Sequence, residues 1–580
     1  MDIGTLNYLS AQALIAGFVA AGIDEAVISP GSRSTPLTLA LLRTPGIRCT
    51  LAIDERSAAF FALGLGKASR RPALLVATSG TAPANWLPAV IEASQADIPL
   101  LLLSADRPPE IQGWGANQTV AQSALFSDFV RARHALPAPR LALDQAFSPE
   151  GLWRVAARAV EESSWPQAGP VHLNLPFHEP LIPAGATPAW LPAPVLSLSQ
   201  PPALPQTEAI RRLATQISGR PGAIVCGELP ARSAAEKNAL FAALTVLAAR
   251  LGCPLLLEPL SGLRFGRHWQ TPAAAGARTC VRYADWLKQP QVQAALDATP
   301  PEWVLRIGPW PVTRPLQNFV ASARWQALID PAPAWRDPQQ RLDLLLHASP
   351  LAACEALLQQ DLQPATPAWS AAFAAWEAAA AAEVETEPTA VPPSLHPASA
   401  AATLDNRPGS GRCAARRIAA ILAGVPDDTA CFIGNSLAIR ELDSHSGCGP
   451  AALDFFGNRG ASGIDGNISS AAGIAAIRGR ALALLGDLTT QHDLGGLALA
   501  QGRNLVIVTV NNGGGGIFDY LPQASLPEFV AGWRTPQQID FAAAAATFGL
   551  AYRRIETPQA LTTAIREAFA TGGPHLLETC

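Results

Sequence analysis

The chain has 580 residues, of which 49% are hydrophobic and 15% charged, with a formal net charge of −4. That composition supplies ample material for buried cores. It contains no basic block of the kind that neutralises phosphates, which excludes a nucleic-acid surface. Length alone suggests about four domains of roughly 150 residues, whereas the patterning supports three larger ones. Nine cysteines form no Cys-x-x-Cys pair, which suits reduced thiols and neither a disulfide framework nor a zinc site. The start, MDIGTLNYLSAQALIAGF, lacks the basic segment of a signal peptide, and no run of ~18 or more apolar residues occurs. A soluble, cytoplasmic protein with no membrane span is expected. Lys67, Lys237 and Lys288 are the only lysines, so most arginines reflect composition, and those inside motifs are weighed separately.

Residues 1–182 alternate helical and apolar segments. Leu14, Ile15, Phe18 and Val19 share one face of a helix that Gly22 is placed to end. Apolar runs at Ala26–Ile28, Leu51–Ile53, Ala73–Ala77 and Leu100–Leu103 read as strands, with helical stretches at Ser57–Ser69 and Ala84–Ala93 between them. Continuous apolar strands alternating with helices indicate a parallel sheet covered on both faces. The strand ends run into Gly- and Ser-rich loops, where open α/β sheets hold ligands. The proline-dense stretch 183–205 reads as a linker into a second α/β unit, 206–365. Its strands fall near Ala223–Cys226, Pro254–Glu258, Val304–Ile307 and Ala327–Ile329. An alanine-rich helical segment (Ala371–Ala382) and a Pro/Ala/Ser-rich linker fill 366–410. The third unit, 411–580, has strands near Cys431–Ile433, Ala481–Leu485, Leu505–Val510 and His575–Thr579. The expected fold class is α/β, with three domains, each a mainly parallel sheet flanked by helices.

Within the third unit, residues 482–516 join two apolar strands through a helical stretch. The first strand ends in Gly486-Asp487, and the second in Asn511-Asn512 and four glycines. Asn512 follows Asp487 by 25 positions, a length that suits one strand–helix–strand unit and returns the second strand end beside the first. A carboxylate, an amide oxygen and a backbone carbonyl are hard oxygen donors suited to Mg²⁺, which takes its remaining ligands from phosphates and water. The run Gly513–Gly516 lets a backbone approach a diphosphate closely. Gly, Asp and Asn also dominate ordinary turns, so the segment by itself leaves both readings open. In the first unit, Glu55 of LAIDERSAAFFALGLGKA (51–68) stands ahead of a small-residue helix. There an acid also serves simply as a favourable dipole partner.

The 482–516 segment resembles the diphosphate-binding signature of thiamine-diphosphate enzymes, Gly-Asp-x followed after such a span by Asn-Asn. The resemblance implies Gly486, Asp487, Asn512 and Gly514 at the cofactor. Asp487, Asn512 and the Gly514 carbonyl would ligate Mg²⁺ or Mn²⁺, and Glu55 would activate the aminopyrimidine. SPGSRSTPLTLAL (29–41), TSGTAPAN (78–85), ADRPPE (105–110), GANQT (115–119), GNSLAIR (434–440) and FGNRGASGIDG (456–466) occur in this order. Together they closely resemble the 2-succinyl-5-enolpyruvyl-6-hydroxy-3-cyclohexene-1-carboxylate synthase family of menaquinone biosynthesis. The likeness spans the first and third domains and is weak in the middle.

That family joins 2-oxoglutarate, after loss of CO₂, to isochorismate by 1,4-addition. The implied roles are aminopyrimidine binding for 1–182 and diphosphate and metal binding for 411–580. Ser32, Thr78 and Gly80 join the cofactor set, Ile464 is the apolar wedge that bends the cofactor, and Ile517, Phe518 and Leu521 form an apolar wall. Both substrates are dicarboxylic, and arginine's planar fork grips carboxylates at two points. Arg33, Arg107, Arg440 and Arg459 lie inside matched motifs beside Ser32, Asn117, Gln118 and Ser436. Singly, each arginine also fits a structural salt bridge, and Ile464 also fits an ordinary buried isoleucine. Four arginines in loops at expected strand ends favour a shared electropositive pocket.

In TRPLQ (313–317), Arg314 is retained for substrate but Thr313 stands where the family often has lysine. The His-His pair that many thiamine decarboxylases use for proton transfer is missing after Glu55, which fits attack on an acceptor. The resemblance further implies a site between the first domain of one subunit and the third of another, hence a homodimer at minimum and a homotetramer as the larger option. The rival reading of the same residues is another thiamine-diphosphate decarboxylase or carboligase, of the acetohydroxyacid-synthase type.

Overall fold

The computed structural model describes residues 2–140, 148–185, 190, 192–230, 233–271, 278–385 and 409–580. In the first unit, β1 (Glu25–Ile28), β2 (Arg48–Leu51), β3 (Ala73–Ala77), β4 (Leu100–Asp106), β5 (Ala132–Ala135) and β6 (Pro170–Pro176) lie in the order β2-β1-β3-β4-β6-β5. The middle unit holds β7 (Gly222–Cys226), β8 (Leu255–Leu257), β9 (Thr279–Cys280), β10 (Trp303–Ile307), β11 (Trp325–Ile329) and β12 (Leu344–Leu346), in the order β12-β11-β10-β7-β8-β9. The third unit holds β13 (Thr429–Ile433), β14 (Leu453–Phe456), β15 (Arg480–Gly486), β16 (Asn504–Val510), β17 (Ala551–Ile555) and β18 (His575–Thr579), in the order β14-β13-β15-β16-β18-β17. Every strand pair is parallel. Helices cover both faces, and β3, β4, β7 and β10 are buried along their whole length, as all-parallel sheets require.

The apolar run Leu51–Ile53 is not a strand interior. The strand there ends at Leu51, and Leu51 and Ile53 are 62% and 90% exposed at the carboxyl edge of the sheet. Helix Ile3–Ala20 is, among the described residues, the one helix long and apolar enough to cross a membrane. Its Leu14, Ile15 and Phe18 are buried in the first unit's core with Ala156, Ala159 and Val160 of helix Pro149–Ser164. The described residues of 183–205 form neither helix nor strand. Helix Pro367–Glu385 packs Trp369 and Phe373 against Trp286 and Phe319 of the middle unit. Most of the linker expected after it, 386–408, lies outside the described residues.

The first and third units share one apolar core, in which Phe60, Phe61 and Leu63 meet Ile468, Ala471 and Ile474. Two helices cross there, Glu55–Ser69 and Asn467–Arg478. A Cβ on Gly64 would stand 2.1 Å from the Ser470 carbonyl, and one on Gly473 would stand 2.2 Å from the Phe61 carbonyl. Only glycine permits so close a backbone approach. The crossing fixes helix Glu55–Ser69, and therefore Glu55 at its first residue, against the third unit.

Candidate active site

β15 and β16 run side by side in register, Gly486 opposite Val510, so Asp487 and the Asn511-Asn512 pair emerge together at the carboxyl edge. Asp487 is buried, and its Oδ2 accepts the Gly514 N–H at 2.7 Å while Oδ1 accepts the Leu488 N–H at 2.9 Å. Burial pushes its pKa up, and these backbone donors pull it back. Asn511 shapes the turn: its Nδ2 donates to Glu578 Oε1 at 2.8 Å and its Oδ1 accepts the Gly513 N–H at 3.2 Å. Asn512 is exposed, and among the described residues its side-chain amide makes no hydrogen bond. Gly514 has φ +122°, and a Cβ there would lie 2.2 Å from the Arg534 carbonyl. Arg534 closes the loop, donating from Nη2 to the Asn512 carbonyl at 2.7 Å and accepting the Gly515 N–H at 2.8 Å.

These residues fit a metal-bound diphosphate. A carboxylate and a free amide converge beside a glycine run, and the space where side chains on Gly486 and Gly513 would stand is open. Ile517 and Phe518, directly after the run, are half-buried and Leu521 is 40% exposed. Among the described residues no three His, Cys, Asp or Glu side chains gather to hold a metal.

On the first unit, Asp54 takes the capping role at helix Glu55–Ser69, its Oδ1 accepting the Arg56 N–H at 3.0 Å and its Oδ2 the Ser57 hydroxyl at 2.9 Å. Glu55 is therefore not needed as the cap. It is half-buried, and among the described residues its carboxylate has no hydrogen-bond or ion-pair partner. Ile464, at 37% exposed, is not an ordinary core isoleucine.

The four motif arginines fall into two pairs by their anchors: Arg33 bonds Phe177 after β6, next to the β4 end that carries Arg107, and Arg440 and Arg459 bond the adjacent residues Ser436 and Asn435. Arg33 is buried, donating from Nη1 to the Phe177 carbonyl at 2.9 Å and from Nη2 to Glu179 Oε1 at 2.7 Å, while its buried Nε has no partner among the described residues. Arg107 donates to the Ser79 hydroxyl, and Gln118 Nε2 donates to the Ser79 carbonyl at 2.9 Å. Burial and then the Arg33 charge lower the pKa of Arg107. The loops carrying Ser32, Thr78 and Gly80 meet here, with Gly31 against Thr78 and Gly80 under Gln118. Asn117 is exposed on the same loop as Gln118.

In the third unit, Arg440 Nη1 donates to the Ser436 carbonyl at 2.7 Å and Arg459 Nη1 donates to Asn435 Oδ1 at 2.5 Å. Burial and then the Arg459 charge lower the pKa of Arg440. Gln118 and Ser436 hold φ of +57° and +68°, backbone strain of the kind that clusters at ligand clamps. Arg314 stands exposed at the start of helix Arg314–Ser322 and makes no hydrogen bond or ion pair among the described residues, so it joins neither pair; Thr313 beside it is buried. Ser79 and Asn435, which orient these arginines, were not singled out from sequence although both lie inside the matched motifs. A polar residue next to a glycine just after a strand end was the available signal.

Residues 10–125 match the family model described as thiamine pyrophosphate enzyme, N-terminal TPP binding domain, and residues 450–579 match its C-terminal TPP binding domain counterpart. Fold and site together define a thiamine-diphosphate-dependent enzyme. The solved benzoylformate decarboxylase of Polynucleobacter necessarius superposes with a TM-score of 0.68 over 98% of each chain at 16% identity, a likeness of fold alone. A 2-succinyl-5-enolpyruvyl-6-hydroxy-3-cyclohexene-1-carboxylate synthase of Dechloromonas aromatica is 53% identical over 578 residues, covering 100% of this chain and 99% of the relative. Enzymes of the same name from Haloarcula marismortui (36% identical, covering 100% and 96%) and Myxococcus xanthus (38% identical, covering 99% and 94%) also match. The chain belongs to the 2-succinyl-5-enolpyruvyl-6-hydroxy-3-cyclohexene-1-carboxylate synthase family.

Proposed function

We propose that this enzyme decarboxylates 2-oxoglutarate and adds the remaining four-carbon unit to isochorismate by 1,4-addition. The products are CO₂ and 2-succinyl-5-enolpyruvyl-6-hydroxy-3-cyclohexene-1-carboxylate, made in the cytoplasm for menaquinone or phylloquinone synthesis. Thiamine diphosphate, when bound, supplies the carbon nucleophile and the electron sink for both steps. Asp487, Asn512 and the Gly514 carbonyl hold Mg²⁺, with Mn²⁺ as a substitute, and Gly486 gives the diphosphate room. Glu55 shares a proton with the pyrimidine N1′ position, work its unpartnered carboxylate is free to do. Ile464, Ile517, Phe518 and Leu521 exclude water from the reacting carbon.

The observation that carries the substrate reading is the placement of the four arginines in twos: Arg33 bonds Phe177 at the end of β6, beside the β4 end that carries Arg107, and Arg440 and Arg459 bond the adjacent residues Ser436 and Asn435. Such pairs call for carboxylates, and two dicarboxylic substrates bring four. Ser32, Asn117, Gln118 and Ser436 add neutral donors, Thr78 and Gly80 shape the cofactor side, and Arg314 of the middle unit, unpaired among the described residues, is the remaining cation for substrate. The three units are taken as 1–182, 206–365 and 411–580.

The apolar exposure around the two cofactor motifs favours a site completed by a second copy of the chain. Leu51 and Ile53 precede Glu55, Trp114 (86% exposed) precedes Gln118, and Tyr520 (67%) and Leu521 follow the glycine run. Contiguous exposed apolar groups mark interaction surfaces, and a second copy of the chain would cover these. A homodimer is the minimum assembly, and a homotetramer is a pair of such dimers. The test compares 2-oxoglutarate with pyruvate for the wild type, Arg440→Ala and Arg459→Ala. Turnover of 2-oxoglutarate alone, weakened in both variants through KM, supports the reading. Comparable kcat/KM for pyruvate overturns the substrate assignment and leaves the cofactor class standing.

A further inference from the structure

Arg459 and Ile464 ride on one loop between β14 and helix Asn467–Arg478, and that loop is held from two sides. From its own unit, Asn435 Nδ2 donates to the carbonyls of Asn458 at 2.9 Å and Gly463 at 2.7 Å. From the first unit of the same chain, two charged side chains reach it. Lys67 Nζ donates to the Gly457 carbonyl at 2.7 Å. The Glu92 carboxylate accepts the N–H groups of Gly460 at 2.9 Å and Ala461 at 2.6 Å. The two charges lie 3.6 Å apart, with side chains 4% and 3% exposed.

A buried ion pair is a poor way to add stability, because desolvation offsets most of its attraction. Its strength is direction: Lys67 fixes one backbone group and Glu92 two, and all three belong to the loop that presents Arg459 and Ile464. The pair itself comes from two neighbouring helices of the first unit, Glu55–Ser69 and Leu87–Gln95. One of those helices begins with Glu55, so the element that presents the activating carboxylate at one end holds the Arg459 loop near the other.

We propose that Lys67 and Glu92 are positioning residues, through which the first unit fixes the loop that aims Arg459 at a substrate carboxylate and Ile464 at the cofactor. The inference rests on the reading of Arg459 and Ile464 given above. Glu92→Gln keeps volume and one acceptor but turns an amide NH₂ toward one of the two loop N–H groups. Hydrogen exchange of the peptide spanning 456–466 should speed at least tenfold, and thiamine diphosphate, followed by tryptophan fluorescence, should bind several-fold more weakly. The kcat/KM for 2-oxoglutarate should fall 10- to 100-fold. In a double-mutant cycle run at saturating thiamine diphosphate, Glu92→Gln placed in an Arg459→Ala background should cost clearly less in kcat/KM for 2-oxoglutarate than it does alone, because the part of its effect that passes through Arg459 is already lost.

Lys67→Met is read the same way; it removes the Gly457 contact and the ion pair with Glu92 while leaving the Glu92 bonds to Gly460 and Ala461 available. Unchanged exchange in this peptide, or losses that simply add in the cycle, overturns the proposal. So does failure of both variants to fold, which would make the pair a folding determinant. If Arg459→Ala itself leaves kcat/KM unchanged, the substrate reading has failed, while the exchange measurement still decides whether the clamp exists.

Discussion

Replacing Glu55 by Gln separates chemistry from folding with little disturbance to the molecule. Asp54 already caps the helix, and no protein group among the described residues leans on the Glu55 carboxylate, so removing its charge strands nothing. The favourable contact with the helix dipole is worth about 0.3–1 kcal/mol, which in a large domain moves Tm by no more than about 4 °C. The catalytic loss is far larger. Sharing a proton with the pyrimidine is general acid–base work, typically about 10²–10⁴-fold in rate, or about 3–5 kcal/mol of barrier. Glutamine fills the same volume and can still form a hydrogen bond, but it cannot exchange the proton. The assay follows CO₂ release and isochorismate absorbance with saturating Mg²⁺ and thiamine diphosphate, with cofactor binding checked by tryptophan fluorescence and folding by thermal unfolding. A fall in kcat of at least about 100-fold with Tm nearly unchanged is expected. Near-normal turnover with cofactor bound would refute the reasoning, and a collapse of Tm would move Glu55 from chemistry to structure.

Asp487→Asn keeps the shape of the turn but removes the one charged metal donor, so the Mg²⁺ concentration for half-maximal activity should rise at least about tenfold; an unchanged Mg²⁺ titration contradicts the site. Arg264 and Asp443, both 0% exposed, form a buried ion pair between the middle and third units, joined by the Tyr283 hydroxyl. Arg264→Met leaves a buried uncompensated carboxylate, a loss of about 3–5 kcal/mol, and the thermal inactivation midpoint should drop by several degrees; no drop would show that the carboxyl is neutral there. His172 is buried against Ser104, at 2.7 Å, and burial lowers its pKa from 6.5 to about 3. The unfolded chain therefore binds this proton first, so stability is full above pH 6.5 and falls as pH drops from 6.5 toward 3. His172→Asn should flatten the Tm-versus-pH curve in that window, and parallel curves for the two proteins would contradict it.

The interior strands were legible in the sequence because parallel strands buried on both faces read as unbroken apolar runs, as β3, β7 and β16 do. The edge strands were not. β5, β9, β12, β14 and β17 all lie at sheet edges, and they are short or mix exposed and buried positions, as Ala132–Ala135 and Ala551–Ile555 show. β6 was missed inside a sheet for another reason. It starts and ends in proline and carries buried His172 and Asn174, which Ser104 of β4 satisfies across the ladder. The proposed cofactor cradle was legible because its parts are local: Asp487 and the glycine run follow two consecutive, paired strands. The arginine pairs were visible only by resemblance, since nothing in the spacing of Arg33 and Arg107 shows that they converge. The Lys67–Glu92 clamp gave no signal, because its partners lie some 370–390 positions away in the chain.

The most direct test of the proposed reaction is its stoichiometry. With thiamine diphosphate, Mg²⁺ and 2-oxoglutarate present, CO₂ release is measured with and without isochorismate while ultraviolet absorbance tracks isochorismate loss. One CO₂ released for each isochorismate consumed, with little release in its absence, is the expected result. Rapid CO₂ release that leaves isochorismate untouched would contradict it and make the protein a simple 2-oxo acid decarboxylase.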